Sequence, residues 1–145
     1  MKFYSETLQA SFNDAKPILE SLSSIKDAIY EDIKELEAFL QTIHLNESFH
    51  FNLKAQSPLS RNEELLVWNH VSKRIIYIEN RYGISCVSHD KGYYYPRINF
   101  DDKQTLIEKP LIDTDFEIRK RVWQEGKLAL FLSFITQRLN INESI

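Results

Sequence analysis

Ile18, Leu22, Ile25, Ile29, Ile33, Leu36, Leu40 and Ile43 follow one another at steps of three or four residues. At 100° per residue they fall within an arc of roughly 80°, a narrow apolar stripe close to a coiled-coil seam. The spacing predicts one long N-terminal helix. Asn13 or Asp14 is placed to cap its start, and Pro17 is tolerated in or near a first turn. Ser23 and Ser24 offer a division into two helices, because Ser24 with Asp27 imitates a capping pair. The single helix is the preferred reading. Its stripe is expected to pack on a sheet or on a second copy of itself.

After the helix the period changes to two. In SFHFNLK, Phe49, Phe51 and Leu53 share one face, and His50, Asn52 and Lys54 the other. QSPLSRN is a loop by composition. ELLVWNHVSKRIIYIEN predicts a hairpin turning at His70 to Lys73, with β-branched and aromatic residues in both arms. NRYG then marks a further turn, and ISCVSHDKGYYYPRINF a second hairpin closed by Asp90-Lys91-Gly92. Thr114 and Glu117 form a capping-box pattern for a C-terminal helix reaching about Leu139, bent at Gly126. Its second half is apolar almost all round, which predicts burial on several sides. The expected architecture is a single α+β domain over 1–145. It has a long N-terminal helix, an antiparallel sheet of about five strands built from hairpins, and a C-terminal helix packed on that sheet.

Alternation assigns the strand residues to faces. In the second hairpin Ile84, Cys86, Tyr94, Ile98 and Phe100 are expected in the core. Tyr93, Tyr95 and Arg97 share the opposite, outward face with His89. Pro96 cannot donate a ladder bond, which pushes this strand toward an edge. The first hairpin is apolar on both sides, with Leu65, Val67, Ile76 and Ile78 on one and Leu66, Trp68, Ile75 and Tyr77 on the other. Such pairs are usually covered on both sides. If the second side is left open, Trp68 and Tyr77 extend the Tyr93/Tyr95 surface into an aromatic contact patch beside Arg97 and His89, rich in binding hot-spot residue types. If it is covered, they are core.

Charge adds a second candidate surface. Residues 1–48 hold four lysines against nine acids, a net of −5, whereas the remainder carries +2. Glu20, Asp27, Glu31 and Glu35 lie opposite the apolar stripe. They form either a solvated face or an acidic ridge for a basic protein surface. Arg119-Lys120-Arg121 points three ways around a helix, with Glu117 and Glu125 near enough to compensate, and the chain's net charge is −3; both argue against nucleic acid as a partner.

Chemistry is sparse. The three glycines, Gly83, Gly92 and Gly126, are isolated, so no standard phosphate-cradling loop is present. Cys86 is the one cysteine, which excludes an internal disulfide and a multi-cysteine zinc site. His44, His50, His70 and His89 lack metal-ligand spacing, although His50 and His70 can meet across strands. Alternation aims Cys86 and His89 to opposite faces, against a nucleophile–base pair. No cofactor and no catalytic residue is expected. The N-terminus lacks a signal-peptide pattern, and LALFLSFI is too short to span a membrane, which suggests a cytoplasmic protein.

The function these observations favour is non-catalytic binding of another protein, as an inhibitor, an immunity-type neutraliser or a chaperone/adaptor. A homodimer is compatible with the helix stripe. The competing expectation is a small-ligand protein or enzyme with a pocket between the sheet and the C-terminal helix, where Trp68, Tyr77, His89 and Arg97 converge.

Overall fold

The computed structural model describes residues 1–54, 62–90 and 93–143, and for 84–90, 93–98 and 141–143 the backbone alone. The first helix, α1, runs unbroken from Glu6 to Ile43. Ser5 caps it, its Oγ accepting the Leu8 N–H at 3.2 Å, so Asn13, Asp14 and Pro17 all lie inside the helix rather than at its start. Ser23 and Ser24 do not divide it. His44, in the left-handed region at φ 58°, ends it.

Four strands follow, β1 (Phe49–Asn52), β2 (Asn62–Asn69), β3 (Arg74–Asp90) and β4 (Tyr93–Pro110), paired antiparallel in chain order. The β2–β3 turn lies where the pattern placed it. Asn69 Oδ1 accepts the N–H groups of Val71 and Ser72, and Lys73 takes φ 57°. Among the described residues there are four strands rather than about five, because NRYG is not a turn: β3 passes through it, and the inner arms of the two expected hairpins are one strand. Gly83 serves close approach instead. A Cβ there would lie 2.9 Å from the Asp102 Cβ. Opposite Tyr82, residues 100–103 of β4 bulge out between the pairs Arg81–Gln104 and Gly83–Asn99.

At the far end Ile84 pairs with Ile98, as the pattern predicts, but Asp90 pairs with Tyr93 and His89 with Tyr94. Asp90 therefore belongs to the strand rather than the loop. A bulge between Cys86 and Ser88 absorbs the one-residue difference. Lys91 and Gly92 lie outside the described residues, as do the side chains of Tyr93, Tyr94 and Tyr95, whose division between faces was expected.

A 3-10 turn (Leu111–Asp113) leads to α2 (Phe116–Gln124) and α3 (Lys127–Glu143). The expected capping box does not form. Thr114 is buried and donates to the Leu111 carbonyl at 2.6 Å, while Asp115 takes the cap position. Gly126, at φ 70°, separates two helices rather than bending one. Nor is α3 buried all round: Phe131 and Ile135 face the core, and Leu130 is exposed.

The core fills one side of the sheet. Phe49, Leu53, Leu66, Trp68, Ile75 and Tyr77 pack against Ile29, Ile33 and Leu40 of α1, Val122 of α2, and Phe131 and Ile135 of α3. Trp68 and Tyr77 are fully buried there, so of the two alternatives the core reading holds and they do not join the contact patch. The opposite side, with Leu65, Ile76 and Ile78 only half-buried, lies outside this cluster.

Candidate functional site

The body grips only the C-terminal half of α1. Three polar anchors fix it. The Trp123 indole donates to Asp32 at 2.7 Å. Glu37 accepts from Arg74 Nε at 2.8 Å and from the Ile75 backbone N–H at 2.9 Å. Gln41 donates to the Lys73 carbonyl at 2.8 Å. Lys26, over the Phe116 ring at 4.9 Å, is the last of these contacts toward the N-terminus. None of these pairings is local in sequence, and none was anticipated.

Before Lys26 the helix leaves the body. Residues 6–25 extend about 30 Å at the α-helical rise. The apolar stripe continues along them without cover: Ile18 is 71% exposed, Leu19 56% and Leu8 48%, and Leu22 and Ile25 are more than a third exposed. On the other side of the helix, Asp27, Glu31 and Glu35 are exposed and have no ion pair or side-chain hydrogen bond among the described residues. Glu20 meets Lys16 at 3.9 Å on the exposed surface, a contact of little energetic weight.

A second projection is the β3–β4 ribbon. Among the described residues the β2 pairing ends at Asn62–Arg81, and beyond it β3 and β4 pair with each other to Asp90 and Tyr93. Phe100, expected in the core, is 58% exposed and packs edge-on against Tyr82, outside the core cluster of the described residues. His89, Tyr93, Tyr95 and Arg97 lie along this ribbon, paired as His89–Tyr94, Ser88–Tyr95 and Ser85–Arg97. Trp68 and Tyr77 lie in the body instead, and the ridge residues on α1.

Within the body, between the sheet and α2, sits a buried ionic cluster that the sequence did not reveal. Glu64 receives both terminal nitrogens of Arg121, Nη1 at 3.0 Å, together with the Tyr77 hydroxyl and Lys54 Nζ at 3.1 Å. Burial by itself pushes the Glu64 carboxyl up. Hydrogen bonds from Arg121, Tyr77 and Lys54 outweigh it and hold its pKa down at about 2. The Tyr77 hydroxyl is pushed well above its ordinary value, first by burial and then by its bond to Glu64. Arg121 is thus neutralised by Glu64 from across the fold, not by its helix neighbours Glu117 and Glu125. The arrangement fastens α2 to the sheet and presents no free acid or base.

A shallow cleft of about 330 Å³ between β1 and α3 is lined by Glu47, Ser48, Phe49, His50, Phe134 and Arg138. It occupies the expected place for a pocket, but Trp68 and Tyr77 are not among its walls, and the side chains of His89 and Arg97 lie outside the described residues. Ser48 Oγ lies 2.8 Å from His70 Nδ1 and also accepts the His70 backbone N–H at 3.2 Å, a local brace at the β2 end. His50 pairs with Val67, so it does not meet His70. Among the described residues no three His, Cys, Asp or Glu side chains are grouped to hold a metal ion, and no helix is long and apolar enough to cross a membrane. No protein-family model, curated protein or solved structure matches the chain.

Proposed function

We propose that this chain is a non-catalytic module that acts by binding another protein in the cytoplasm, as an inhibitor, an immunity-type neutraliser or a chaperone/adaptor. The observation that carries the reading is the outer side of α1 along the half that the body holds, where Asp27, Glu31 and Glu35 stand exposed and unpaired among the described residues. Stabilising the fold gives no reason to hold three like charges in series, since each such pair costs roughly 0.2–0.5 kcal/mol. A basic partner surface gives one, because complementary charge accelerates and orients docking. The ribbon with His89, Tyr93, Tyr95 and Arg97 is the second contact region.

The test compares two baits in capture from the native host: wild type and Glu31→Lys/Glu35→Lys. A protein enriched by wild type and lost by the variant, more completely at low salt, supports the reading. Identical capture profiles remove the ridge from it. The β1–α3 cleft supports a second reading, a small-ligand site that Arg138 and His50 would orient. Retained ligand in native mass spectra of the purified protein, abolished by Arg138→Ala, would favour that reading.

A further inference from the structure

The exposed stripe on residues 6–25 continues the seam that Ile29, Ile33 and Leu40 bury in the body. Written as heptads, Leu8, Ala15 and Leu22 take one core position and Ser11, Ile18 and Ile25 the other. The positions beside this seam are almost free of charge. One flank carries Phe12 and Leu19, the other Thr7, Asp14 and Ser21. Phe3 folds back edge-on against Phe12, at 5.1 Å between centroids, and widens the apolar strip.

We infer that this segment pairs with the same segment of a second copy of the chain, antiparallel, to form a homodimer. The orientation follows from the body. From Ile29 onward the seam is already filled by the sheet and α2, so a parallel partner would meet that body in its own path. An antiparallel partner ends where the body begins. It also places the two bodies at opposite ends.

One antiparallel register fits the free segment along its whole length. It sets Leu8 against Ile25, Ser11 against Leu22 and Ala15 against Ile18 of the other copy, each pair made twice by the two-fold symmetry. Small residues meet large ones at two of the three levels, as interdigitating layers require. Phe12 falls beside Leu19 of the second copy, and Asp14 beside Ser21, so no like charges oppose one another. The exposed fractions of Leu8, Ile18, Leu19, Leu22 and Ile25, fully covered, amount to roughly 900 Å² over two copies, close to the lower limit of a specific interface before Phe3 and Phe12 are added. Asp27, Glu31 and Glu35 lie beyond the paired segment on the exposed side of α1, free for the separate partner proposed above.

Sedimentation equilibrium at micromolar concentration tests the inference. The expected mass is twice the 17.2 kDa of the chain. Ile18→Glu/Leu22→Glu is expected to return it to a single chain mass with the tertiary circular dichroism of the body retained, since both side chains are exposed in the monomer. Val71→Glu, on the distant β2–β3 turn, is expected to leave the dimer intact. Orientation is read in a Cys86→Ser background by mixing an Ala15→Cys chain with an Ile18→Cys chain under oxidation. The antiparallel register gives the mixed disulfide; disulfides between like chains would overturn it. A wild type that stays monomeric, or a dimer indifferent to Ile18→Glu/Leu22→Glu, overturns the proposal and leaves the stripe to a different protein.

Discussion

Replacing Glu64 with Gln removes one negative charge from beneath Arg121 and Lys54 while nearly preserving shape. The carboxyl titrates at about 2 rather than the ordinary 4.5. At 1.36 kcal/mol per unit, that depression corresponds to about 3 kcal/mol of stability linked to ionisation. Removing one partner of a buried pair costs a similar amount, roughly 3–5 kcal/mol. The low end applies here, because Arg121 and Lys54 are each partly exposed and regain some hydration once Glu64 is neutral. Glu64→Gln is therefore expected to lower the unfolding free energy at pH 7 by about 3 kcal/mol, or Tm by about 10 °C for a domain of this size. The pH dependence carries the sharper test. A carboxylate whose folded pKa is depressed contributes stability that is fully present above the unfolded value and is lost as pH falls through the folded one. The gap between wild type and Glu64→Gln should hold above pH 4.5 and close progressively toward pH 2. Urea unfolding, followed by circular dichroism at several pH values, measures it. A gap below 1 kcal/mol at pH 7, or one that stays constant down to pH 2.5, would refute the reasoning.

Ile29→Asp places a charge at a fully buried point of the α1 seam and is expected to lower Tm strongly; a Tm unchanged within error would show that the seam is not buried. Gly83→Ala brings a methyl within 2.9 Å of the Asp102 Cβ and is expected to destabilise the ribbon by about 1 kcal/mol, read as faster hydrogen exchange there. Adding Asp102→Gly should restore most of that protection, and failure of the double variant to recover would show that the close approach is not the cause.

Which parts of this molecule were legible follows from the range of the interactions involved. Helix α1, the alternation in β1 and the β2–β3 turn were visible because their signals are local: a 3.6-residue period, a two-residue period, and Asn69 folding onto its own turn. Gly83 was misread because the same residue type serves both turns and close strand approach, and only the partner, Asp102, decides between them. Thr114 and Glu117 have the residue types of a capping box, yet the buried 3-10 turn claims the Thr114 hydroxyl first. For the candidate site, the acidic ridge on α1 was readable from helix periodicity alone. That Trp68 and Tyr77 are core was not, since a strand apolar on both faces does not state which face the helices will choose. Glu64 with Arg121, 57 positions apart, left no sequence signal at all.

The two projections have one physical origin, a mismatch of lengths. β2 has eight residues, about 27 Å of strand, and with β1 it sets how far the helix-covered sheet extends. α1 has 38 residues, about 57 Å. β3 and β4, with 17 and 18 residues, reach about as far. Laid on the part of the sheet that β1 and β2 extend, close to half of the helix overhangs, and so does the outer half of the ribbon. What remains to be chosen is which half of α1 stays. Asp32, Glu37 and Gln41 make that choice, because their polar partners lie on α2 and at the β2–β3 turn. Glu37 is the most constraining, since it satisfies a buried backbone N–H at Ile75 that would otherwise lack an acceptor. The N-terminal half has no such anchor, and its aliphatic residues gain nothing from the body. An overhang that carried polar residues all round would simply be solvated. This one carries Leu8, Ile18, Leu19, Leu22 and Ile25 along one side, and that is the physical reason to look for their cover outside the chain that bears them.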